Sequence, residues 1–205
     1  MKILIRLLIN ILRLTKSGGY LKETGWMNSI KVRNSVDKNN NPIPWLCYPF
    51  LEFFNERLSY EMNMFEYGSG YSTLYWAKKL KTIVSVEHNY NWYKKMKNIL
   101  PNNVQYYYYP ISRGYVDSIK TLNKKFDIII IDGRERVACV KVATSYLSTS
   151  GVIVWDNSLR EKYRDGIIYL ENLGFKHIDF KGLNPLGTVP TVTSVFYKKN
   201  NCLNI

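Results

Sequence analysis

The sequence predicts an open α/β sheet, doubly wound with helices on both faces, and three observations predict it. Between Asn63 and Tyr197 short apolar runs alternate with longer amphipathic ones, as strands joined by crossover helices do. The runs "DIIIIDG" (127–133) and "GVIVWDN" (151–157) are continuously apolar, which suits strands buried on both faces. At 205 residues the chain is long enough for one such domain and too short for two of ordinary size.

The elements follow in order. Residues 1–16, "MKILIRLLINILRLTK", form a basic amphipathic helix in which Lys2, Arg6, Asn10 and Arg13 share one narrow face. The apolar stretch falls short of the ~20 residues that span a bilayer, and its arginines interrupt a signal-peptide core. Two roles stay open: an interfacial helix on an anionic membrane surface, or a helix that docks on its own domain or on a second subunit. Residues 17–44 are rich in Gly, Asn and Lys, and "VDKNNNPIP" has turn chemistry, so this stretch is expected as a linker or lid.

Residues 45–205 are the expected catalytic domain. It opens with "WLCYPFLEFFNERL", whose apolar residues have helical spacing. Strands are expected at 63–67, 82–87, 104–109, 126–131, 152–155, 175–180 and 192–197. Helices are expected at 72–80, 90–100, 116–122, 136–147 and 159–173.

Net charge is +13, which favours an anionic partner: nucleic acid, an acidic glycan or a membrane surface. The lysines are spread along the chain, so composition alone does not choose among these. The cysteines, Cys47, Cys139 and Cys202, lack pairing or metal-ligand spacing and point to a reducing cytoplasmic compartment. With the basic first helix, that location becomes peripheral at the inner face of the membrane.

A doubly wound sheet binds ligands beyond the carboxyl ends of its strands. The polar residues there are Glu66 with the Gly68–Ser69–Gly70 turn, Glu87 with His88, Asp132 with Arg134, and Asp156 with Asn157. Gly68 and Gly70 suit a tight turn and close approach of a ligand, and Glu87 can accept hydrogen bonds from both ribose hydroxyls. A dinucleotide fingerprint wants Gly or Ala where Thr73 stands. Glu66 has no role beneath a pyrophosphate, yet it suits a sulfonium, directly or by ordering the loop.

The successive stretches "FEYGSGYST", "VSVEHN" and "FDIIIIDGRER" resemble the motifs of class I S-adenosylmethionine-dependent methyltransferases, over roughly residues 44–197. The resemblance implies a Rossmann-like, seven-stranded, mostly parallel sheet with an antiparallel last strand. It also implies S-adenosylmethionine as cofactor, held by Glu66, Gly68, Ser69, Gly70, Glu87 and His88.

The pair "FDIIIIDG" and "GVIVWDNSL" is similar to metal-dependent O-methyltransferases, which implies a Mg2+ site at Asp132, Asp156 and Asn157. Three oxygen ligands from neighbouring strand ends can hold Mg2+ with several waters left. The same residues can instead cap helices and order the rim. Without a metal, Asp132 is the candidate base and Arg134, with Arg136, the candidate anchor for an acidic group on the substrate. His88 and His177 lack an assigned partner and are expected to be structural.

A looser similarity, carried by "DGRERV", "PIPWLCYP", "GLNPLGTVP" and "NNCLNI", is to bacterial methyltransferases associated with surface polysaccharides. The expected activity is O-methylation of a glycan or small hydroxylated acceptor. Two alternatives remain: an RNA methyltransferase, motivated by the charge, and an inactive membrane-surface partner protein with the same fold.

Overall fold

The computed structural model describes residues 2–205. Seven strands make one sheet: β1 (Asn63–Tyr67), β2 (Thr82–Glu87), β3 (Val104–Tyr108), β4 (Phe126–Ile131), β5 (Leu147–Asp156), β6 (Lys176–Gly182) and β7 (Thr191–Tyr197). Their order is β3-β2-β1-β4-β5-β7-β6. Strands β1 to β5 pair in parallel, and β7 runs antiparallel to both of its neighbours. This is the expected Rossmann-like sheet. Its order reverses between β1 and β4, so a crevice opens beyond their carboxyl ends.

The isoleucine run in β4 shows why continuous apolarity marks a central strand. Ile128 and Ile130 enter one core with Met64, Val152 and Val154, beneath Phe50 and Phe54 of α4 (Tyr48–Asn55) and Trp76 of α5 (Tyr71–Ala77). Ile129 and Ile131 enter the other with Phe65, Tyr67 and Trp155, against Val140 of α7 (Arg136–Ala143) and Leu170 of α8 (Arg164–Asn172). Alternate side chains point to opposite faces, and each buried isoleucine contributes about 1.5–3 kcal/mol of apolar burial.

The edges depart from expectation for local reasons. Strand β5 begins at Leu147 rather than at 152, because its first residues are polar and are held sideways: Ser148 Oγ donates to Asp127 Oδ1 at 2.7 Å. Pairing with β4 shifts register there. Residues 116–122 form a 3-10 helix rather than an α-helix. The expected helix at 136–147 ends at Ala143 and tightens into a 3-10 turn, and that at 159–173 becomes a 3-10 turn followed by α8. Edge strand β3 carries the tyrosine run, and Tyr106 and Tyr108 pack on Tyr93 of α6 (Tyr90–Lys97).

Ahead of the sheet lie α1 (Lys2–Thr15), α2 (Tyr20–Glu23) and α3 (Trp26–Val32). Met1, part of the expected first helix, lies outside the described residues. The stretch expected as linker or lid thus holds two short helices and gives Ser29, Val36 and Ile43 to the interior. The Trp26 indole donates to the Gly187 carbonyl at 2.8 Å and ties this stretch to the loop before β7.

Candidate active site

At the end of β1, Glu66 is wholly buried on the sheet face opposite Tyr67. Its carboxylate accepts from Ser72 Oγ and Thr73 Oγ1, both at 2.5 Å, and from Ser85 Oγ at 2.9 Å. Thr73 Oγ1 in turn accepts from the Gly70 amide at 3.0 Å. Glu66 therefore orders the glycine turn from beneath and presents no oxygen to the cleft, the second of the two roles its position allowed. Burial pushes its pKa up to about 7, against the pull of the three hydroxyls.

Gly68 takes φ +93, and a Cβ there would stand 2.9 Å from Gly133 Cα. Conformation and contact both require glycine. Gly70 is different: its backbone is extended, and a Cβ would meet nothing nearer than the Trp92 ring at 3.8 Å, so it would project into open cleft.

Glu87, at the end of β2, binds the turn to the following helix. Oε1 accepts from the amides of His88 at 2.8 Å and Asn89 at 2.7 Å, while Oε2 accepts from Ser69 N at 3.2 Å and Ser69 Oγ at 3.0 Å. His88 Nδ1 lies 3.0 Å from Oε1. Two residues without an assigned role in the sequence complete this corner. The Trp92 indole donates to Ser69 O at 2.8 Å, and the Tyr106 hydroxyl meets Ser69 Oγ at 2.6 Å. Trp92 comes from α6 and Tyr106 from edge strand β3, both distant in sequence from the glycine turn.

The ends of β4 and β5 do not form the expected Mg2+ site. Arg136, whose side chain is 11% exposed, lies between the two aspartates: Nη2 donates to Asp132 Oδ1 at 2.8 Å, and Nη1 lies 3.6 Å from Asp156 Oδ2. The same guanidinium also donates to the backbone carbonyls of Asp132, Gly133 and Asp156. Asp156 Oδ1 accepts from Thr193 Oγ1 at 3.0 Å, its Oδ2 accepts from the Asn157 amide, and Asn157 Oδ1 accepts from Arg160 at 2.6 Å. Apart from Asp132 Oδ2, the side-chain oxygens that a cation would need are committed to nitrogen and hydroxyl donors, and a positive group already fills the gap. No cluster of three or more metal-ligating His, Cys, Asp or Glu exists among the described residues. The Mg2+ expectation therefore finds no support in this arrangement, and the Arg136 side chain turns inward to the aspartates rather than standing free as a substrate anchor.

Enclosure, and then the adjacent Asp156 carboxylate, raise the Asp132 pKa well above the carboxylate range, while Arg136 pulls it down. Burial likewise raises that of Asp156. Asp132 Oδ2 accepts no hydrogen bond among the described residues, and the Asp132 side chain is 29% exposed.

A cleft of about 820 Å³ runs from Glu87 and His88 across Gly68 and Ser69 to Asp132, then to Arg134, Arg160 and Lys162. Its size is that of a cofactor site. Asp132 also lines a second cleft of about 210 Å³ with Ser69, Gly70 and Trp92, walled by Arg33, Asn34, Ser35 and Trp45. The structure thus gathers Gly68, Ser69, Glu87, His88, Asp132 and Arg134 around one space, and Gly70 lines the smaller one beside it. Asp156, Asn157 and Glu66 stand behind it, and His177 lies away on β6, 3.0 Å from Asp179. The wall from residues 33–35 has no sequence signal, since nothing local marks it.

No protein-family profile matches the chain, and no curated protein matches it. Solved structures do share the fold. A precorrin-6y C5,15-methyltransferase from Geobacter metallireducens GS-15 superposes with a TM-score of 0.59 at 15% identity, over 73% of this chain and 86% of that one. An O-methyltransferase from Bacillus cereus, in complex with SAH, gives 0.58 at 18% identity, over 83% and 90%. An rRNA methylase from Streptococcus thermophilus gives 0.52 at 13% identity, over 72% and 93%. Named for different acceptors, these proteins agree with this chain in fold.

Proposed function

We propose that the protein is an S-adenosylmethionine-dependent O-methyltransferase for a glycan or small hydroxylated acceptor that carries an acidic group. The observation that carries the reading is the cleft from Glu87 to Asp132 across the glycine turn, in the fold that holds SAH in the Bacillus cereus protein. The cofactor, when bound, supplies an electrophilic methyl group. Glu87, already aimed at Ser69, would accept from the ribose hydroxyls, and the missing side chain at Gly70 leaves room for the amino-acid end.

Asp132 would take the proton of the acceptor hydroxyl on Oδ2, as the new C–O bond forms and the C–S bond breaks. Arg136 holds that carboxylate in place through Oδ1 and supplies the local positive charge without a metal. Arg134 and Lys162, which have no acidic partner within ion-pair distance among the described residues, would hold the anionic group of the acceptor together with Arg160.

The test is a thermal-shift series with SAH, followed by transfer of labelled methyl from S-adenosylmethionine into separated glycan, lipid and RNA fractions of a cell extract. Stabilisation by SAH with base-stable label in the glycan or lipid fraction supports the reading. Absence of stabilisation sinks it, label confined to RNA replaces it with the RNA methyltransferase, and binding without label in any fraction leaves an inactive protein of the same fold.

A further inference from the structure

Helix α1 is an anomaly for a protein surface. None of its residues is buried, and its nine isoleucines and leucines are between 45% and 85% exposed. Soluble monomers rarely leave so contiguous an apolar patch uncovered. The patch continues inward, with Met27, Ile30 and Val32 of α3 also exposed. Lys2, Arg6, Asn10 and Arg13 form a narrow stripe along the helix, Lys16 follows it, and residues 2–16 contain no acid.

We propose that α1 lies in the surface of an anionic bilayer, its apolar face among the acyl chains and its cations at the lipid phosphates. Three features select this occupant. At 1.5 Å per residue the helix is about 21 Å long, short of the ~30 Å hydrocarbon core, and no helix among the described residues is long and apolar enough to cross a membrane. A second copy of α1 laid against the first could cover apolar surface but would leave every cation unanswered, because residues 2–16 contain no acid, whereas headgroup phosphates answer each one. The chain as a whole adds to the attraction, with a net charge of +13.

The inference rests on α1 alone and stands whether or not the cleft transfers methyl groups. If both hold, the bilayer also lies near the acceptor. Helices α2 and α3 lead from α1 to Arg33, Asn34 and Ser35, which wall the smaller cleft, so an acceptor presented at a membrane surface would meet the site directly.

Flotation of the full chain with vesicles tests the proposal. Vesicles of phosphatidylcholine with about a third phosphatidylglycerol should carry the protein upward at least about tenfold better than phosphatidylcholine alone, with the advantage lost at high salt. Leu4→Glu with Leu8→Glu should abolish flotation while leaving the melting curve unchanged, since both side chains are exposed. Lys2→Gln with Arg6→Gln and Arg13→Gln should remove the preference for anionic lipid. Equal flotation with both vesicles, no flotation with either, or a dimer by light scattering that the Leu4 and Leu8 substitutions dissolve would overturn it.

Discussion

The ends of β1 and β2 and the ends of β4 and β5 each hold a pair of enclosed carboxylates, kept in opposite ways. Glu66 and Glu87 are met by hydroxyls and backbone amides, so burial, neutral donors and the neighbouring Glu87 carboxylate set the charge of Glu66, with no cation. Asp132 and Asp156 are met by a guanidinium. Neutral donors make a site tolerant of protonation, while an ionic bridge makes it dependent on one side chain. The first pair suits a rigid cradle, and the second keeps one carboxylate oxygen, Asp132 Oδ2, free for a proton.

The largest test of this contrast is Arg136→Met. It leaves two carboxylates facing each other with no cation and should cost about 3–5 kcal/mol, read as a lowered urea midpoint at pH 7. A loss within experimental error would mean that the pair needs no bridge.

Next comes Glu66. Its folded pKa of about 7 lies above the unfolded value near 4.5, so its contribution is fully present below pH 4.5 and lost as pH rises through 7. Between those limits the wild type should lose about 3 kcal/mol relative to Glu66→Gln. Parallel stability curves for the two proteins would show that Glu66 is ionised throughout.

The two glycines separate structure from binding. Gly68→Ala should cost about 1–3 kcal/mol through its left-handed backbone and its contact with Gly133. Gly70→Ala should stay within about 0.5 kcal/mol of wild type, yet weaken SAH binding in calorimetry, because its Cβ enters the cleft. Equal destabilisation by both would remove the distinction. Smallest of all, Mg2+ or a chelator should leave the melting temperature unmoved; a rise with Mg2+ that the chelator reverses would restore the cation site that Arg136 replaces.

Much of the fold was readable in the sequence because strands buried on both faces announce themselves. The Ile128–Ile131 run feeds two cores at once, and no helix does that with consecutive residues. The start of β5 was not readable, since Ser148, Thr149 and Ser150 carry no apolar signal, and Ser148 is held by Asp127 of the neighbouring strand β4. In the site, Gly68, Glu87 and Asp132 were legible as strand-end residues. The direction of Arg136 was not, because a basic residue at a helix start reads equally well as solvated. Only the packed aspartates on either side decide it. Residues 33–35 were beyond reach for another reason: their place beside Asp132 depends on a long-range tie such as that from Trp26 to Gly187.

The close approach of Gly68 and Gly133 constrains how such a chain can vary. A methyl at 68 strikes the backbone of 133, and a methyl at 133 would stand 1.8 Å from the Tyr115 hydroxyl. Gly68 thus resists a side chain through backbone, whereas Gly133 resists it through one side chain. A lineage that replaces Gly133 would have to shorten Tyr115 first, so positions 115 and 133 are expected to change together, in that order, wherever this loop pair is inherited.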